Sequence, residues 1–201
     1  MSNEAIFDTL YITNSFKNQQ FLLYAHYIHI MAYLACILSL YDGDNSSDWQ
    51  YSFLATVDDV PFSADIANAI NFLDEKGYIV RQKDKDYKIS QIGENTISEF
   101  VSYHSYESRK HYLEAACTCL TTLPLSIFKR AIKQEPGLSR IYNYSQDRYL
   151  IQEAESAELY TQFGILLKHI GKVNNLFLPA SVWLMSLANS EYSSNVVNGD
   201  I

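Results

Sequence analysis

The chain has 201 residues, 48% hydrophobic and 19% charged, which suits one ordinary domain or two small ones and excludes an intrinsically disordered chain. Its formal charge is −8: one base and seven acids over residues 1–62 (−6), five of each over 63–90 (0), and nine bases and eleven acids over 91–201 (−2). A field of that sign opposes a phosphate backbone at long range and argues against a dedicated nucleic-acid binder unless basic groups are focused locally.

Residues 1–20 hold a short apolar cluster, Ile6, Phe7, Leu10 and Tyr11, and read as an N-terminal arm or a helix of one or two turns. Phe21 to Tyr41 follows without a single Asp, Glu, Lys or Arg, long enough to span a bilayer. Four tyrosines and two histidines inside it, and Asp42, Asp44 and Asp48 after it, oppose a lipid-facing span. The stretch is instead expected to be the central buried helix of a bundle, with no membrane partner. After the loop Asp42–Asp48, "WQYSFLATVDDV" reads as a second helix that ends before Pro61.

Ser63 is placed to cap a third helix with core positions Ile66, Ile70 and Leu73, and Gly77 to end it. "YIV" (Tyr78–Val80) and "YKIS" (Tyr87–Ser90) then pair around the polar tip "RQKDKD". "IGENTISEF" begins a further helix, expected to run past Tyr103. The remainder reads as helices starting at Pro124 and near Gln146, with a last one carrying Pro179 in its first turn. The predicted organisation is an arm (1–20), a central domain (21–105), a helical region packed on it (106–188) and a flexible tail (189–201).

The phrase Leu73-x-x-x-Gly77-Tyr78-Ile79, returning through Tyr87-x-Ile89-Ser90-x-x-Gly93, resembles the winged-helix superfamily. The resemblance covers about 75 residues. It implies a mainly α fold: a winged-helix core with one small β-hairpin wing plus additional C-terminal helices. The helix after Ser63 would be the recognition helix. Its outward positions, Ala64, Asp65, Asn68, Asn71, Phe72 and Glu75, offer no Arg or Lys to guanine or phosphate. Asn68, Asn71 and Phe72 are therefore candidates for partner binding.

The wing carries Arg81, Lys83, Lys85 and Lys88 against Asp84 and Asp86, a local excess of +2. A second basic stretch carries Lys129, Arg130, Lys133, Arg140 and Arg148 against Glu135 and Asp147, an excess of +3. Tyr142, Tyr144 and Tyr149 interleave with it. Both stretches are candidate contacts for nucleic acid or an acidic partner, and solvated surface is the competing reading of each.

No G-x-x-x-x-G-K-[ST] loop, G-x-S-x-G elbow or H-E-x-x-H pair occurs. His26, His29, Tyr33 and Cys36 share one helical face but lack the converging ligands that a metal needs. No enzyme, cofactor or metal is expected. Cys36, Cys117 and Cys119 are odd in number and no signal-peptide pattern is visible, so a reduced, cytoplasmic setting is expected.

In size, acidity and winged-helix content the chain resembles small accessory subunits of bacterial SMC-like or ABC-ATPase complexes, such as condensin accessory proteins and Lamassu-type defence subunits. That resemblance implies a non-catalytic subunit bridging a larger ATPase and an effector in a DNA-associated complex, in anti-phage or anti-plasmid defence. It leaves DNA contact weak, or made only within the assembly. The alternative is a dimeric winged-helix transcription regulator.

Overall fold

The uncharged stretch after Phe21 becomes the axis of the molecule. The computed structural model describes residues 1–56, 60–139, 148–151 and 153–197, with backbone only at 46–47, 148, 153–155 and 191–197. Helix α2 (Ala25–Asp42) is buried without a break from Tyr27 to Tyr41. Apolar all round, it must be covered on every side. Helices α1 (Asn3–Ser15), α5 (Glu107–Thr122) and α8 (Glu153–Ile170) pack around it. No helix among the described residues is long and apolar enough to cross a membrane.

The stretch read as an arm or a helix of one or two turns forms α1, a longer helix of 13 residues. Ser2 caps it by accepting from the Ala5 N–H at 3.1 Å. Its buried face mixes Phe7, Leu10 and Ile12 with Asp8, Thr9 and Thr13. Thr9 and Thr13 each donate their hydroxyl to the carbonyl four residues back, at 2.8 and 2.7 Å, which makes their burial affordable. These polar residues conceal the core face of α1 in a reading of apolar spacing alone.

The helix expected over Trp49–Val60 is absent from its described part. A 3-10 turn at Ser46–Trp49 ends where Gln50 adopts φ 71°, and the chain then extends into β1 (Leu54–Ala55). Strand β1 pairs antiparallel with β2 (Pro61–Phe62) on one side and β5 (Arg148–Tyr149) on the other. Phe53 and Ala55 point into the core while Leu54 is half-buried, so the local period is two. Pairing with β5, far away in sequence, overrides whatever helical pattern the stretch has.

Helix α3 (Ala64–Glu75) ends with both bonds of a Schellman motif: Tyr78 N–H donates to Leu73 C=O at 2.9 Å, and Gly77 N–H to Asp74 C=O at 3.0 Å. Gly77 supplies the required positive φ, 74°. The hairpin β3 (Ile79–Arg81) and β4 (Tyr87–Ile89) follows, with Ile79 opposite Ile89. Ser90 ties the unit together. Its hydroxyl donates to the Gly77 and Tyr78 carbonyls at 2.7 and 3.0 Å and accepts from the Gly93 N–H at 3.2 Å, capping α4 (Gln91–Phe100). A Cβ at Gly93 would run into the Tyr78 carbonyl and lie 2.8 Å from Ile89. The Gly77…Ser90…Gly93 phrase thus has a local physical cause.

The helix expected to run on from Ile92 stops at Phe100, and a 3-10 turn (His104–Tyr106) separates α4 from α5. Helix α6 (Leu125–Lys133) and the single turn α7 (Pro136–Ser139) lead to β5 and α8. Helix α9 (Phe177–Val197) packs on α6 and α5 and continues to Val197 through residues expected to form a loose tail. Among the described residues the fold is mainly α, with a two-stranded hairpin and a three-stranded sheet.

Candidate functional site

The outer stripe of α3 is Ala64, Asn68, Asn71 and Glu75, all exposed at helical spacing and without a cation. Asp65, expected on that face, turns to the start of α1, where the Ser2 N–H donates to its carboxylate at 3.0 Å. Phe72 is half-buried against the core and is not an exposed anchor. Ser63 occupies the N-cap, but its hydroxyl makes no capping bond. Its N–H donates to His29 Nδ1 at 3.1 Å. Burial, and His26 secondarily, pulls the His29 imidazole down to about 4, so it stays neutral as that acceptor role requires.

The hairpin bases Arg81, Lys83, Lys85 and Lys88 are all exposed, and none joins an ion pair among the described residues. Lys85 takes φ 66° at the tip. Asp86, counted against the wing charge, is buried, which leaves Asp84 as the exposed acid of the tip.

The second basic stretch does not form one described surface. Arg140, Tyr142 and Tyr144 lie outside the described residues, as does the side chain of Arg148. Arg130 is half-buried in α6, and Tyr149 is exposed on β5. Lys129 and Lys133, one turn apart, flank a slot between α6 and the start of α2. The slot has a volume of about 180 Å³ and a floor of Tyr27, Ile30, Val60, Phe128 and Ile132, with His26 at the rim.

Arg109 is 8% exposed and forms a buried pair with Asp8. Its Nε and Nη2 donate to the two carboxylate oxygens at 2.5 and 2.8 Å, and Nη2 also donates to the Trp49 carbonyl at 3.1 Å. Tyr51 donates its hydroxyl to Asp8, and the guanidinium lies 3.8 Å from the centre of the Trp49 ring. Burial works against the guanidinium charge, but Asp8 outweighs it and lifts Arg109 above its ordinary range. A cavity of about 270 Å³ lies beside the pair, rimmed by Glu4, Asp44 and Asp48.

Glu135 is a second buried acid. It accepts from Tyr33 Oη and the Leu138 N–H, both at 2.9 Å, and burial raises its carboxyl. Asp8 is committed to partners at both oxygens, whereas Glu135 is held through Oε2 and its buried Oε1 has no hydrogen-bond partner among the described residues. Burial pushes the thiols of Cys117 and Cys119 up to about 12 and that of Cys36 higher, so none is a thiolate nucleophile at neutral pH.

One surface went unmarked in the sequence. Leu178, Val182 and Met185, at i, i+4 and i+7 of α9, are 51%, 39% and 46% exposed, while Ala180, Trp183, Leu184 and Leu187 fill the core. No charged residue occurs between Lys172 and Glu191. That absence, on a helix apolar on both faces, was the available signal. Compared against family models, curated proteins and solved structures, the chain matches none of them.

Proposed function

We propose that the chain is a non-catalytic accessory subunit that docks on a larger protein, of the type found in bacterial SMC-like or ABC-ATPase assemblies that act on foreign DNA. The observation that carries this reading is the exposed, charge-free stripe Leu178–Val182–Met185 on a chain of net charge −8. Exposed apolar stripes on otherwise charged surfaces mark protein contacts. In this reading α3, the β3–β4 hairpin and α4 are the recognition-helix and wing half of a winged helix. The helix that would precede α3 in that fold is replaced by the extended β1–β2 segment. The cation-free outer stripe of α3 supports a protein contact over a base-reading one.

The test is affinity purification from the native host followed by mass spectrometry, with Val182→Glu/Met185→Glu as the altered form. Both side chains are exposed, so the double variant keeps its helical circular dichroism while co-purification of the partner falls at least tenfold. Full recovery of the partner by the double variant, or recovery of the chain alone from the unaltered form, refutes the reading. A dimeric DNA-binding regulator is the second reading, favoured by the four exposed wing bases. It requires duplex binding by the isolated chain, lost on Lys83→Glu/Lys85→Glu and falling steeply with salt.

A further inference from the structure

The slot between α2 and α6 joins an apolar floor to a cationic rim, and from this we infer that it receives one bulky apolar side chain from an acidic segment of a protein partner. The inference rests on the docking reading above and assigns to it a specific surface and a chemistry. Volume sets the first limit. A cavity of about 150 Å³ holds benzene, so the slot, at about 180 Å³ and open on one side, has room for one leucine, isoleucine or phenylalanine side chain.

Charge sets the second limit. Lys129 and Lys133 are exposed on one side of α6, neither joins an ion pair among the described residues, and both border the slot opening. Lys129 is close enough to His26 to help hold that imidazole below its ordinary range, behind the larger effect of burial. Among the described residues lining the slot, the charged ones are these two lysines, on a molecule that is acidic overall. Asp or Glu placed within a turn of the inserted side chain would meet these lysines, and a basic segment would meet repulsion.

A nucleic acid fits less well. Single strands bind through aromatic faces on which bases stack, and the slot's Tyr27 and Phe128 rings are 5% and 0% exposed, which leaves the small His26 imidazole as the exposed ring of its described lining. What remains accessible is a hole of side-chain size with ammonium groups beside it.

The test is fluorescence polarisation on the full chain with a blocked, fluorescein-labelled 12-residue peptide, a leucine set among Asp and Glu. Three comparison probes are the same peptide with serine for the leucine, the same with lysine for every acid, and a labelled oligo(dT) of matched length. Methyl NMR follows Ile30 and Ile132 in parallel. The acidic leucine peptide is expected to bind at least tenfold more tightly than each comparison probe and to shift both methyl groups. Lys129→Glu/Lys133→Glu, two changes at exposed positions, is expected to weaken it about tenfold or more.

No binding of the acidic peptide at millimolar concentration overturns the assignment, as does equal binding of the lysine peptide or the oligonucleotide. Unchanged affinity of the double variant overturns it too. These outcomes leave the docking reading standing through α9. Recovery of no partner by the unaltered chain, with the peptide still bound and both methyl groups shifted, removes the docking reading alone.

Discussion

Gly93 and Gly164 are identical in sequence terms and opposite in surroundings. A methyl group at Gly93 meets the Tyr78 backbone carbonyl, whereas at Gly164, inside α8, it meets nothing within 4 Å. Gly93→Ala is expected to destabilise by roughly 3 kcal/mol or more, because backbone must move. Gly164→Ala is expected to stabilise by up to about 1 kcal/mol through helix propensity alone. Thermal unfolding of the two variants side by side measures both signs. Asp8 and Arg109 make the same point for charge. They stand 101 residues apart and meet only in the folded core, so spacing carried no hint of the pair. Removing one partner leaves a buried charge alone, and Asp8→Asn is expected to cost about 3–5 kcal/mol in urea unfolding. Arg109→Lys should also lose stability, since an ammonium cannot make the two-pronged contact.

The elements most legible in sequence were those closed by local chemistry. Gly77, Ser90 and Gly93 end α3, cap α4 and admit a close backbone approach within a span of 17 residues, so residue type alone located the hairpin. The extended β1–β2 segment was not legible, because its partner β5 lies more than 90 residues downstream. The seat of α3 on α2 gives an element-scale prediction. His29 accepts from the Ser63 N–H only while neutral, and its folded value of about 4 lies below the ordinary 6.5. As pH falls from 6.5 towards 4, the unfolded chain takes up a proton that the folded chain refuses, so stability drops across that window by up to roughly 3 kcal/mol. Urea unfolding at several pH values between 7 and 4 should show this loss. His29→Gln should flatten the part of the curve that belongs to this residue, and an unchanged curve would remove His29 as its source.

For the molecule as a whole, net charge and patch position work together. The isolated chain is expected to bind duplex DNA weakly, with a Kd in the non-specific range of about 10⁻⁴ M or above near physiological salt. An electrophoretic shift at nanomolar protein would contradict that and favour the regulator. The sequence was enough to expect a buried central helix, and α2 is buried from Tyr27 to Tyr41, since Phe21–Tyr41 has no charge to leave in water and too many tyrosines and histidines for lipid. The β3–β4 hairpin and the cation-free stripe of α3 were likewise legible, because each depends on residues close together in the chain. Only tertiary structure decided that Arg109 is buried against Asp8 and that Lys129 and Lys133 border an apolar slot. The same holds for the outer face of α9, left bare while its inner face fills the core. The reason is physical: capping, turns and periodicity are set by near neighbours, whereas burial and pairing depend on which distant surfaces the chain brings together.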